Sequence, residues 1–74
     1  MRYFFDLNGI ADETGTVLES RNTVPQQAFR LLLEIAGDSP PGRRSLKVVV
    51  RDPHHSPIYE ASLQLQGHWR NAPA

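Results

Sequence analysis

Thr23–Gly37, TVPQQAFRLLLEIAG, is the stretch whose reading decides the fold. At about 100° per residue, Val24, Ala28, Leu31, Leu32 and Ile35 fall within one arc roughly 100° wide, the stripe of an amphipathic helix facing a core. Gln27, Arg30 and Glu34 lie on the opposite side. Thr23 and Gln26 fit a capping box, in which each side chain satisfies the other's orphan backbone donor. Pro25 suits the first turn, where a missing N–H costs nothing. It also disfavours a helical residue before it, so Val24 is an alternative cap. Gly37 is expected to take the left-handed position that ends the helix, and Pro40-Pro41 forbid continuation. Phe29 and Leu33 stand off the stripe, one turn apart, and make a second apolar patch. Either Phe29 tucks under a strand edge and Leu33 is an ordinary exposed leucine, or the two form a partner or self-association surface.

Strand patterns flank the helix. Arg2–Leu7, RYFFDL, alternates, with Tyr3, Phe5 and Leu7 assigned to the core and Phe4 to a partly exposed outer position. Asn8-Gly9 and Asp12–Gly15 are turns, the second with Gly15 at positive φ. Ile10-Ala11 and Thr16–Glu19 make one short or interrupted strand paired with the first. Beyond the helix, Ser45–Arg51 is the strongest strand, with Leu46, Val48 and Val50 inward and Lys47, Val49 and Arg51 outward. Asp52–Pro57 is a hairpin loop. Ile58–Gln66 alternates, with Tyr59, Ala61, Leu63 and Leu65 inward. Polar outward positions imply a sheet with one wet face, hence largely antiparallel.

The expected architecture is α+β, β-β-α-β-β, a four-stranded sheet with one helix on one face. The preferred strand order is 2-1-3-4, with the β-grasp-like 2-1-4-3 as the alternative. Residues 1–66 are expected to form a single domain and 67–74 a flexible C-terminal tail.

Length and composition set bounds. At 74 residues the chain supports one small core, with a stability of about 4–11 kcal/mol. It has no cysteine, which removes disulfides, thiolate zinc sites and cysteine nucleophiles together. That composition fits a reducing compartment. With no long apolar run and no signal-like segment, the chain is expected to be soluble and cytoplasmic, without membrane partners. Eight basic residues balance eight acidic ones, against general nucleic-acid binding, which needs a basic excess.

No catalytic or cofactor motif emerges, so the expectation is a non-enzyme without cofactor or small-molecule substrate. His54, His55 and His68 lack metal-ligand spacing, and a polar hairpin loop accounts for the first two. Asp12, Glu13 and Asp52 are read as turn acids rather than a catalytic pair. Arg43, Arg44, Lys47 and Arg51 are the basic concentration. With Arg2 and Phe4 on the adjacent strand they outline an outer sheet face able to contact nucleic acid. Trp69 is the lone tryptophan and a candidate interface anchor, or a cover for a sheet edge. Candidate interface positions are therefore Phe4, Phe29, Leu33, Val49 and Trp69.

The segments RYFFDL, DETG and LKVVVRD, with the helix and the last alternating strand, resemble a family of small proteins, mostly from rhizobium-like and related proteobacteria. That family is known only as a domain of unknown function. The likeness runs from Arg2 to about Leu65. It departs at the helix, which in such proteins is more charged and alanine-rich, with an acid near its start. The resemblance implies a fold and brings no activity or site residues. A looser likeness of pattern is to partner-binding antitoxins of the HicB type, which also place a strand pair before an amphipathic helix. On these grounds the chain is expected to be an interaction or regulatory module, a homodimer being one form. A nucleic-acid-associated module is the alternative.

Overall fold

The computed structural model describes residues 1–38, 44–68 and 70. Strands β1 (Arg2–Leu7) and β2 (Thr16–Val17) precede helix α1 (Val24–Gly37). Strands β3 (Arg44–Arg51) and β4 (Pro57–Leu65) follow it. The four strands form one sheet in the order β2-β1-β3-β4, antiparallel at every step. This is the preferred α+β arrangement, and the β-grasp-like order does not occur.

Local chemistry explains most boundaries. Asn8 (φ 50°) and Gly9 (φ 82°) both lie in the left-handed region, as a two-residue I′ hairpin turn requires. Leu7 and Ile10 accordingly exchange both backbone hydrogen bonds, at 3.1 and 2.8 Å. The interrupted second strand shrinks to that bridge plus Thr16–Val17.

Both helix ends differ from expectation. Thr23 already has helical torsions and makes no side-chain cap, so the capping box does not form. The reason is local. Arg21–Thr23 is a 3-10 turn opened by Ser20, whose Oγ accepts from the Asn22 N–H at 3.1 Å. The Thr23 hydroxyl donates to the Ser20 carbonyl at 2.6 Å. Val24 is helical (φ −58°, ψ −49°) despite the following proline. The packing that buries it in the core outweighs the local preference. At the other end Gly37 remains helical and Asp38 closes the helix, its N–H reaching the carbonyls of Glu34 and Ile35. Gly37 is not among the glycines at positive φ.

The core holds Tyr3 and Phe5 from β1, Val24, Ala28 and Leu32 from α1, Leu46, Val48 and Val50 from β3, and Ala61 from β4. Leu31, Ile35, Tyr59 and Leu63 pack around it half-buried. Leu65, expected inward, is exposed near the end of its strand. The helix lies over β3 and β4, leaving beside β1 and β2 an open cavity of about 380 Å³ lined by residues that include Phe5, Leu7, Ile10 and Leu31. A bulge at Val50–Arg51 sets Pro57 rather than Ile58 against Arg51, and the edge position tolerates a residue without an N–H.

Leu32 and Leu33 are chemically identical neighbours with opposite fates, one buried and one exposed. Leu32→Ala is expected to cost about 2–5 kcal/mol, and Leu33→Ala to stay within about 0.5 kcal/mol. Urea denaturation of the two variants checks this.

Candidate functional site

Strand alternation sends Phe4 and Asp6 of β1, and Lys47, Val49 and Arg51 of β3, to the face opposite the helix. The register sets Phe4 against Arg51 and Asp6 against Val49, so Arg51 and Asp6 are diagonal neighbours. The Arg51 guanidinium grips Asp6 through two bonds, Nε to Oδ2 at 2.8 Å and a terminal nitrogen to Oδ1 at 2.9 Å. That same nitrogen donates to the Asp12 carbonyl at 3.1 Å, and the other contacts His55 Nδ1 at 2.9 Å. The guanidinium carbon sits 4.9 Å from the Phe4 ring centre, and the His55 ring stacks on Phe4 at 4.7 Å. Phe4 is therefore 9% exposed, so it is not the partly exposed interface aromatic expected: Arg51 and His55 cover it from the outer side.

Asp12 completes the assembly. Its Oδ1 accepts from the N–H groups of Thr14 and Gly15 at 3.1 and 3.0 Å, and its Oδ2 from the Phe5 N–H at 3.0 Å. Its own N–H donates to Asp6 Oδ1 at 2.8 Å. Asp52 does similar work in the β3–β4 loop, accepting from the N–H groups of His54 and Ser56, both at 2.9 Å. Asp12 and Asp52 are thus turn acids, as expected. The hydrogen bond from Arg51 holds the Asp6 carboxyl below the ordinary carboxylate value, against the effect of burial. For Asp12, burial pushes upward and the bonds from Gly15, Phe5 and Thr14 more than offset it. The Ser56 N–H, followed by that of His54, lowers Asp52.

This network changes the meaning of the basic residues. Arg51 is neutralised by Asp6, and Lys47 lies 3.1 Å from Glu60 in an exposed pair. Neither presents an uncompensated charge to a phosphate. Arg44 enters β3 through its backbone, while Arg43 and Trp69 lie outside the described residues. Val49 is half-buried on this face. Among the described residues, no group of three His, Asp or Glu side chains could hold a metal ion.

The helix flank is different. Phe29 is 56% exposed and Leu33 63%, so Phe29 does not tuck under a strand. With Leu32, Ser62 and Leu63 they line a shallow, apolar groove of about 120 Å³ between α1 and β4. β4 is the outermost strand on that side. Among the described residues, nothing pairs with its free edge. The opposite side of the sheet is closed. There β2 is two residues long, and beyond it the Asp12 carboxylate takes the Phe5 N–H and Ile10 takes the Leu7 N–H.

Sequence reasoning missed the roles of Asp6 and His55. The signal for Asp6 was present, since alternation and the 2-1-3-4 order together place it on the outer face beside Arg51. His55 gave none, because its stacking depends on a residue at φ 66° in an irregular loop.

Two tests follow from this geometry. A Cβ on Gly15 (φ 78°) would lie 2.7 Å from Arg2 Cγ and 3.0 Å from the Phe4 ring, whereas one on Gly9 (φ 82°) meets nothing within 4 Å. Gly9→Ala is expected to cost about 1–2 kcal/mol for its backbone alone, and Gly15→Ala more, because the Phe4 ring is held on its outer side. Equal melting temperatures would show the Phe4 contact to be immaterial. For pH, Asp6 and Asp12 titrate lower folded than unfolded. Their contribution is complete above the unfolded carboxylate value of about 4 and is lost as pH falls through the folded values. Asp6→Asn is expected to lower the urea midpoint at pH 7 and to flatten its decline as pH falls below about 4. An unchanged decline would show that Asp6 is not held.

A family model described as a domain of unknown function, DUF6894, matches residues 2–64. No curated protein and no solved structure matches the chain. The matched span takes in the helix, β1, β2 and β3, β4 as far as Gln64, and both halves of the Asp6–Arg51 network, and the chain belongs to the DUF6894 family.

Proposed function

We propose that this chain is a small non-enzymatic interaction or regulatory module, and that its binding surface is the flank formed by Phe29, Leu33 and the free edge of β4. One observation carries the reading: two large, exposed apolar side chains line a groove against β4, the one long strand edge that the described residues leave open. An edge of unpaired backbone groups beside an apolar groove is the geometry of strand addition, in which main-chain bonds give affinity and a pocket gives specificity. The outer sheet face suits this role less, because Arg51 and His55 roof Phe4 and the Arg51 and Lys47 cations each pair with an acid. The non-enzymatic reading is supported by Asp12 and Asp52 being engaged by turn N–H groups. The proteobacterial setting rests on the resemblance of RYFFDL, DETG and LKVVVRD. A reducing cytoplasm suits a chain without cysteine, and no helix among the described residues is long and apolar enough to cross a membrane.

Photo-crosslinking in cells tests the surface. A benzophenone side chain at position 33 is expected to give adducts, and the same group at Glu13, on the closed side, is not. Adducts from position 13 alone, or from neither position, would overturn the proposal.

A further inference from the structure

Resting on that reading, we infer that the occupant of the flank is a second copy of this chain, joined by antiparallel pairing of β4 with its symmetry mate about a two-fold axis through Ala61. A two-fold contact brings the same patch from both copies together, so the strand must tolerate its own reversed sequence. In β4, Pro57–Leu65, Glu60 is the one ionisable group apart from the tyrosine hydroxyl. With Ala61 facing its own mate, Glu60 faces Ser62, Tyr59 faces Leu63 and Ile58 faces Gln64. No like charges oppose one another. Moving the axis one residue back sets Glu60 against its own copy, a destabilising like-charge pair. The Ala61 centre also puts the smallest side chain of the strand on the axis.

The helix layer fits the same symmetry. Tyr59, Ala61 and Leu63 share the core-facing side of β4, so pairing carries that face across the axis. Each α1 lies over β3 and β4 of its own copy, with Phe29 and Leu33 on the flank that borders the edge. Joining the edges brings the two flanks toward each other over the extended sheet. The formal net charge of zero removes long-range repulsion between copies. The other edge cannot serve, since β2 is two residues long and β1 beyond it is closed by Asp12 and Ile10.

Because the chain contains no cysteine, crosslinking reports the register directly. Directly opposed residues of an antiparallel pair lie about 4.5–5.5 Å apart between Cα atoms, inside the range a disulfide spans. Glu60→Cys and Ser62→Cys, mixed and oxidised, are expected to give a mixed disulfide dimer. Sedimentation equilibrium is expected to show a monomer–dimer equilibrium. Ser62→Glu should weaken it roughly tenfold by facing Glu60 of the other copy at two symmetric points. That variant should keep its fold, because Lys47 of β3 sits opposite position 62 within the chain, and circular dichroism with thermal melting checks this. A dimer unaffected by Ser62→Glu, or one that gives no mixed disulfide, would overturn the inference. So would a chain that stays monomeric up to about 1 mM. A strict monomer whose position-33 crosslinker captures a different protein removes the second copy and keeps the binding surface. A strict monomer without adducts removes both.

Discussion

The Arg51 guanidinium joins segments that are far apart in sequence, and the outer half of the fold is arranged around it. One planar group with five donors can serve an acid, a carbonyl, a ring nitrogen and an aromatic face at once. Here it binds Asp6 of the first strand, the Asp12 carbonyl of the following turn and His55 of the last loop, while lying over Phe4. A lysine offers a point charge and could not make this set of contacts. The side chains of Arg51 and Asp6 remain about one-fifth exposed, at 21% and 19%, so the pair's worth lies more in fixing geometry than in Coulomb energy. It ties β1 to β3 at the end where the bulge lies, and it carries the Asp12 turn with it.

That arrangement accounts for the segments by which the family resemblance was drawn. RYFFDL supplies Phe4 and Asp6, DETG supplies Asp12 and Gly15, and LKVVVRD supplies Arg51 together with Asp52, which shapes the loop holding His55. Gly15 belongs to this set for a steric reason, since Arg2 and the Phe4 ring occupy the space a side chain would need. The motifs thus describe a structural device. Such a device fixes a fold and says little about what the protein binds, because function resides in sites placed on folds.

Much of the fold was legible because burial imposes periodicity. The Leu46–Val48–Val50 alternation and the Val24–Ala28–Leu32 spacing are consequences of facing a core, and all six residues are buried. Gly15 was legible because few residues accept its torsions. The helix ends were less so. Thr23 offers the right hydroxyl, but Ser20 three residues earlier competes for the same local bonds and opens a 3-10 turn instead. Gly37 can adopt a left-handed conformation without being obliged to, and the helix closes at Asp38. Phe4 was misplaced for a different reason. Alternation assigns a side chain to a face correctly, but cannot say that the face is roofed. Arg51 and His55 come from the far end of the chain, so the burial of Phe4 was invisible to any local pattern.

What remains after folding has taken its share is uneven across the molecule. A single helix cannot cover four strands, and this one sits over β3 and β4. On the β1–β2 side the shortage of cover leaves an open cavity, but the backbone there is satisfied by Asp12 and Ile10. On the β4 side apolar side chains remain exposed, with Phe29 and Leu33 lining a groove against a strand whose outer groups find no partner among the described residues. Edge strands in stable monomers are usually short, bulged or charged, and β4 runs nine residues with one carboxylate. Its bulge lies at the Pro57 end, which leaves the stretch around Ala61 regular. A long regular edge, few charges and adjoining exposed apolar side chains meet on this side of the molecule, in a surface that intrachain packing does not require.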